Sequence, residues 1–311
     1  MEPVSPQDLT RTVLDRHAGV SDVRLKEIIT ALIAHLHAFA TEVALTEEEW
    51  AAGIRFLTEA GHITDADRQE FILLSDTLGL SMLVDLINHD AGVGATESTV
   101  LGPFWVADSP WRERGAVIAR PDDGEPLHVF GRVFDLEGTT IGGAVLDVWQ
   151  ASGRGLYDVQ DPSQPRGNLR GRFRSDADGR YDFWTVRPVA YAIPDDGPVG
   201  KMLAALGRHP WRAAHIHFRV SADGHRPVTT HVFDADGGYL DSDTVFGVKP
   251  SLVRTTSRRE GAPRADRIAI SPARAVERTS RRLLTFRHAS SSTRMPSPST
   301  NPANNGRGLT P

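Results

Sequence analysis

Near Pro103 the residue pattern changes from one period to another, and that change constrains the fold more than any other feature of the chain. Upstream, Leu25, Ile28, Ile29, Leu32, Leu36 and Phe39 recur at the three- and four-residue spacing that gathers one face of an α-helix. Thr46, with Glu49 three residues later, makes a capping-box pattern ahead of Trp50, Ile54 and Leu57, and Gly61 is placed to stop that helix. A further helix is expected from Thr64, with Asp67 as its acidic partner. Phe71, Leu74 and Leu78 continue its stripe, and Gly79 interrupts it before Leu83, Leu86 and Ile87. Downstream the rule is alternation: Leu127, Val129 and Val133, then 144–150, 169–174, 181–186, 215–220 and 229–233 read as strands, with Glu137-Gly138 as a turn and Asp178-Gly179 as a hairpin signal. Short strands at this spacing predict a mostly β fold, an antiparallel β-sandwich over 101–253 preceded by an α-helical module over 1–100.

Composition narrows the chemistry. With no cysteine, disulfides, zinc-thiolate sites and thiol nucleophiles are excluded, so any metal must rely on His, Tyr, Asp or Glu. No basic region followed by an apolar run opens the chain, and no apolar stretch has membrane-spanning length, so a cytoplasmic protein away from membranes is expected. The net charge of −5 is unevenly spread: from Arg254 onward twelve arginines face only Glu260, Asp266 and Glu277, a balance of +9 that leaves −14 for residues 1–253. An acidic body is a poor partner for nucleic acid. Residues 254–311, rich in Arg, Ser, Thr, Pro and Asn, read as a disordered tail. A frameshift in the source gene or a divergent extension would each produce so abrupt a change.

His215-Ile216-His217 lies inside a strand pattern. Alternation sends both imidazoles to one face and Ala214, Ile216, Phe218 and Val220 to the other, a geometry that suits chelation but that surface histidines also show. Tyr157, in Gly155-Leu156-Tyr157-Asp158, and Tyr191, in a proline-flanked segment, are two of only four tyrosines; taken by itself, each reads as a core-edge Tyr with a satisfied hydroxyl. From these residues alone a ferric site, a zinc hydrolase on the two histidines and a non-enzymatic β-sandwich binding module all remain open.

The segments LGPFW, GGAVLDVWQASGRGLYD, GRYDFWTVRPVAYAIP and WRAAHIHF, in that order, resemble the intradiol ring-cleavage dioxygenases over roughly residues 20 to 253. The resemblance implies one non-haem ferric ion per subunit held by Tyr157, Tyr191, His215 and His217. Hard phenolate oxygens favour the ferric state, in which the metal works as a Lewis acid that activates the diol rather than the oxygen. It further implies that Tyr191 yields its place to the diol and takes one phenolic proton, that Tyr157 stays, and that Arg212 steadies negative charge developing on the ring. Strand parity puts Arg212 opposite the histidines, so that role requires a bend near Trp211.

Within the family, Leu73-Leu74-Ser75-Asp76, Thr230-His231-Val232-Phe233 and Asp241 to Lys249 point to hydroxyquinol (1,2,4-trihydroxybenzene) as substrate. Asp76 supplies an acceptor for the extra hydroxyl, while Leu73, Val100, Gly102, Pro103, Ile193, Pro194 and Val245 match the other pocket positions. His231 is either a pocket residue or an ordinary strand histidine. Both atoms of O2 would enter a ring cut between its vicinal hydroxyls, giving 3-hydroxy-cis,cis-muconate or its tautomer maleylacetate; catechol or chlorocatechol, giving the corresponding muconate, is the alternative. The helical module resembles the family's dimerisation linker, which implies a homodimer that can enclose a lipid. The strand expected to close the sandwich after Gly247-Val248-Lys249 is not recognisable, which predicts an exposed sheet edge. Asp176-Ala177-Asp178-Gly179 resembles only a fragment of a calcium loop, so a turn is expected there.

Overall fold

A computed structural model describes residues 5–65, 68–89 and 94–256, together with the backbone of 282–283 and 285–290. The chain forms two compact units that divide at His62. Among the described residues no helix is long and apolar enough to cross a membrane.

The first unit is helical: α1 (Pro6–Asp15), α2 (Val23–Glu42) and α3 (Glu47–Ile63). Each start has a side chain that satisfies an otherwise orphaned amide. Asp8 N donates to Ser5 Oγ at 3.1 Å, Leu25 N to Asp22 Oδ1 at 2.9 Å, and Glu49 N to Thr46 Oγ1 at 3.2 Å while Thr46 N donates back to Glu49. Gly61 does not end α3, which runs on to Ile63; an interior glycine only weakens a helix, by about 1 kcal/mol. The predicted stripe on α2 is real but uncovered in the single chain, with Leu25, Ile28, Leu32, Leu36 and Phe39 each 47–54% exposed.

The second unit opens with α4 (Glu70–Thr77) and α5 (Leu80–Asn88), separated by Gly79 at φ +75°. The expected helix start at Thr64 comes later, at Glu70, and its supposed partner Asp67 lies outside the described residues. Glu70 is fully buried and accepts from Val199 N at 3.0 Å, which fastens α4 to α6 (Pro198–Ala205). Further along α4, Leu73 and Asp76 are also buried.

Strands β1 (Pro126–Phe134), β2 (Val145–Trp149), β3 (Arg170–Arg174), β4 (Arg180–Val186), β5 (Tyr191–Ala192), β6 (Trp211–Arg212), β7 (His215–Ser221), β8 (His225–Arg226), β9 (Val228–Asp234), β10 (Val253–Arg254), β11 (Arg282–Leu283) and β12 (Thr285–Ser290) form two principal sheets, ordered β12-β1-β4 and β10-β9-β7-β2-β3, and two short pairs, β5-β6 and β11-β8. Pairing is antiparallel except for β10 on β9 and β11 on β8. β10 breaks the expected all-antiparallel pattern because the long 235–252 connection carries the chain back before it re-enters beside β9. Alternate residues of both sheets, Leu127, Val129 and Phe183 from one and Leu146, Val148, Phe173, Ile216 and Phe218 from the other, belong to one apolar cluster. Phe173 stacks on Phe183 with centroids 4.9 Å apart.

Two expectations change here. The Asp178-Gly179 turn is not a hairpin between paired strands: β3 and β4 lie in different sheets, and the turn carries the chain from one to the other. Asp176 Oδ1 accepts from the amides of Asp178 and Arg180, the local bonding that an Asx turn supplies. The disordered tail expected over 254–311 falls mostly outside the described residues. Where it is described, β12 pairs with β1 from Val129↔Ser290 to Phe134↔Thr285, so the edge beside β1 carries a strand. Ladder bonding needs only extended backbone, which a Thr- and Ser-containing segment without aliphatic periodicity can also provide.

Candidate functional site

The site lies where β7 meets β5 and the loop before β3. His215 and His217 leave one face of β7, as alternation requires, and both are about 98% buried or more. His215 Nδ1 lies 2.6 Å from Ala213 O, a contact that makes Nδ1 the protonated nitrogen and leaves the Nε2 lone pair facing inward. His215 Nε2 and His217 Nε2 are 3.1 Å apart. Tyr157 Oη stands 3.0 Å from His217 Nε2 and 3.2 Å from Tyr191 Oη. The two phenols and two imidazoles singled out in the sequence therefore converge on one point.

Each ring is held by its surroundings. Tyr157 stacks on Phe104 at 4.5 Å, His217 stacks on Trp149 at 4.6 Å, and the Tyr157 and Tyr191 rings meet edge to face at 5.5 Å. Gly155, at φ +78°, passes so close to Tyr191 that a Cβ there would lie 2.9 Å from the tyrosine's own Cβ. Gly102, at φ +75°, likewise leaves room above His217, whose Cε1 would stand 3.4 Å from an added Cβ. Beneath Tyr157 runs a buried ion pair, Arg170 with Asp158 at 2.6 Å, the guanidinium carbon 6.0 Å from the phenol centroid.

Arg212 corrects the parity argument. It belongs to β6, paired with β5 rather than continuing β7, and the break at Ala213-Ala214 turns it back toward the histidines. Its Nη1 is 3.4 Å from Tyr191 Oη and 3.2 Å from His215 Nε2. Burial pushes both phenols up, Tyr157 well above the ordinary range and further raised by Tyr191, whereas Arg212 pulls Tyr191 back down. Burial also holds His215 and His217 well below the usual imidazole range; Arg212 adds to the effect at His215, and His231, His215 and Arg212 add to it at His217.

The donor set fits a trivalent, oxygen-seeking cation. Inward-facing imidazole lone pairs and phenols that resist ionisation in a dry pocket both gain from a central positive charge, and phenolate oxygen favours iron in its higher oxidation state.

Around this centre Asp76 is 3% exposed; its carboxyl is pushed up by burial, opposed by a hydrogen bond from Ser81 and the charge of Arg212. Val100 and Val245 pack with Met82. Leu73 and Ile193 are buried, and Gly102, Pro103 and Pro194 half-buried. Sequence reasoning left His231 undecided. It sits on β9 directly opposite His217, fully buried, with its ring 4.6 Å from His215 and 4.1 Å from His217, so that ligand atoms of the three histidines lie within 4.8 Å of one another and could hold a metal. Only the register of β7 against β9 could have revealed this. Asp158, Asp243 and Trp149 were also missed as supports of the site, because each acts through a partner distant in sequence.

Two family profiles cover almost all of this region, one described as Dioxygenase over residues 100–271 and one as Catechol dioxygenase N terminus over residues 22–96. The chain belongs to the intradiol ring-cleavage dioxygenases. It is similar to a hydroxyquinol 1,2-dioxygenase of Rhizobium sp., 51% identical over 84% of this chain and 88% of the relative, and to a 6-chlorohydroxyquinol 1,2-dioxygenase of Cupriavidus pinatubonensis, 48% identical over 86% and 97%. The crystal structure of a hydroxyquinol 1,2-dioxygenase from Pseudomonas putida DLL-E4 superposes with a TM-score of 0.78 at 48% identity, covering 90% of this chain and 96% of that one. The dioxygenase profile continues past residue 253, where the resemblance was expected to stop, into the arginine-rich stretch.

Proposed function

We propose that this dioxygenase opens the ring of hydroxyquinol between its vicinal hydroxyls, with both atoms of O2 entering a product of the composition of 3-hydroxy-cis,cis-muconate or maleylacetate. The observation that carries it is the meeting of Tyr157, Tyr191, His215 and His217 beside a buried carboxyl, Asp76. A ferric ion, one per subunit, would supply Lewis acidity that favours the doubly deprotonated diol. The chain's residues do the rest. Tyr191, the phenol more readily ionised because Arg212 stands beside it, is the internal base for one diol proton. Tyr157, clamped by Phe104, keeps its place. Arg212 offers guanidinium N–H groups to charge that develops on the substrate oxygen.

Asp76 accepts the third hydroxyl, the one that distinguishes hydroxyquinol from catechol. Leu73, Val100, Ile193 and Val245 form apolar walls that exclude water, while Gly102, Pro103 and Pro194 shape the entrance. The two principal sheets, sharing one apolar cluster, form the β-sandwich that holds the site. The helical module, with its uncovered α2 stripe, serves as the interface of a homodimer able to enclose a lipid chain; a row of aliphatic residues half exposed in the single chain supports an apolar partner.

Oxygen uptake by the iron-loaded protein tests the function. Hydroxyquinol should be consumed at least tenfold more efficiently than catechol, with one O2 per ring and a visible phenolate-to-iron absorption band. A colourless iron-loaded protein, or equal use of both diols, would remove the iron-site reading or the substrate reading respectively.

A further inference from the structure

We propose that Asp243 positions Arg212 for ring opening, and that it does so through the Asp243–Gly247 turn, which also carries the pocket residue Val245. The inference rests on the reading of Arg212 given above. Arg212 is 3% and Asp243 4% exposed, so the guanidinium sits where an unpaired charge would be very costly. Asp243 Oδ1 accepts from Arg212 Nε at 3.2 Å and from the Ala213 amide at 3.2 Å, while its Oδ2 accepts from the Gly247 amide at 2.8 Å. One carboxylate thus grips the Nε edge of the guanidinium, the backbone at the break between β6 and β7, and the far end of the turn. With Nε held, Nη1 is left toward Tyr191 Oη and His215 Nε2, and Nη2 is buried without a hydrogen-bond partner.

The turn is latched at two further points and holds one residue in an unusual conformation. Thr244 N donates to Trp211 O at 3.1 Å, Thr99 Oγ1 donates to Gly247 O at 3.3 Å, and Phe246 adopts φ +59°, a conformation that a bulky residue keeps only when its surroundings impose it. At Gly247 a Cβ would stand 3.0 Å from Arg212 Nη2, so the backbone itself closes over the guanidinium. Asp76 also lies within electrostatic reach of Arg212, but its carboxyl is engaged by Ser81. Asp243 is the acceptor that sets the direction of the guanidinium.

A double-mutant cycle on the iron-loaded protein separates positioning from mere bracing of the turn. Arg212→Ala and Asp243→Asn should each lower kcat on the order of 100-fold with little change in KM, the size of loss that an ångström-scale misplacement produces. The double variant should be no more than about threefold slower than Arg212→Ala, because Asp243 has nothing left to direct. In Asp243→Asn the visible absorption maximum should move toward that of Arg212→Ala, since both disturb the donor beside Tyr191, while circular dichroism stays as in the parent. Multiplying losses, an unmoved band, or full activity in Asp243→Asn overturns the proposal. Should Asn at 243 prevent folding, Asp243→Glu retains the charge but displaces it, and parent-level kcat in that variant overturns the proposal equally. Full activity in Arg212→Ala would instead remove the role given to Arg212 itself.

Discussion

The two walls of the site are built on different principles. Around Tyr157 and His217 the supports are rings and a buried ion pair: Phe104, Trp149, and Arg170 with Asp158. Around Tyr191 and His215 the supports are hydrogen bonds and charge: Arg212, Asp243, the Ala213 carbonyl and, farther out, Asp76. An aromatic stack restricts a side chain without changing the charge it can carry, whereas a guanidinium at hydrogen-bonding distance changes how readily a phenol gives up its proton. Under the proposed function, this difference would give the same residue type, tyrosine, a fixed task on one wall and a proton-exchanging task on the other.

The largest expected effect tests the fixed wall. Tyr157→Phe should lower ring opening by roughly a thousandfold and bleach much of the visible band, because it removes a donor that no neighbour can replace. Near-parent turnover in that variant, measured by oxygen uptake, would make the two tyrosines interchangeable and the contrast empty. On the polar wall, Asp76→Ala should cost about 100-fold in kcat/KM for hydroxyquinol and less than about tenfold for catechol, since only the former loses a hydrogen-bond partner. Equal losses for both diols would make Asp76 a structural carboxyl.

A pH series on the metal-free protein addresses the imidazoles that both walls share. His215, His217 and His231 are held below the ordinary range, chiefly by burial. The unfolded chain therefore binds protons that the folded one refuses. Stability should be fully present above about pH 6.5 and fall as pH drops below it, by at most about 1.4 kcal/mol per pH unit for each histidine. Urea titrations at pH 7.5, 6.5 and 5.5 check the sign; constant midpoints would mean that the cluster is hydrated. The smallest effect belongs to the aromatic stack. Phe104→Leu should destabilise by about 1 kcal/mol through lost ring contact while leaving the hydroxyquinol-to-catechol preference unchanged, and a changed preference would show that this wall too reads the substrate.

Much of this was legible along the chain because local rules sufficed. Strand alternation put His215 and His217 on one face, the Thr46-Glu49 box marked the start of α3, and Gly79 parted α4 from α5. The resemblance carried by the segments around Tyr157 and Tyr191 supplied what spacing alone left open. Arg212 misled parity because two residues, Ala213 and Ala214, interrupt the strand, and a period-two argument holds only while pairing is continuous. The turn at Gly179 was recognised, but which sheets it joined depended on partners far away. β12 escaped notice because composition reports what can fill a core, and strand pairing can proceed without that.

From residue order come most of the helices and strands, which depend on periodicity and turn chemistry, and, through the resemblance, the four residues proposed as donors. The approach of His231 to His217, the grip of Asp243 on Arg212 and the unequal surroundings of two tyrosines thirty-four residues apart arise only on folding. Hydrogen bonds, stacking and burial act over a few ångströms in space, and separation along the chain does not encode those distances.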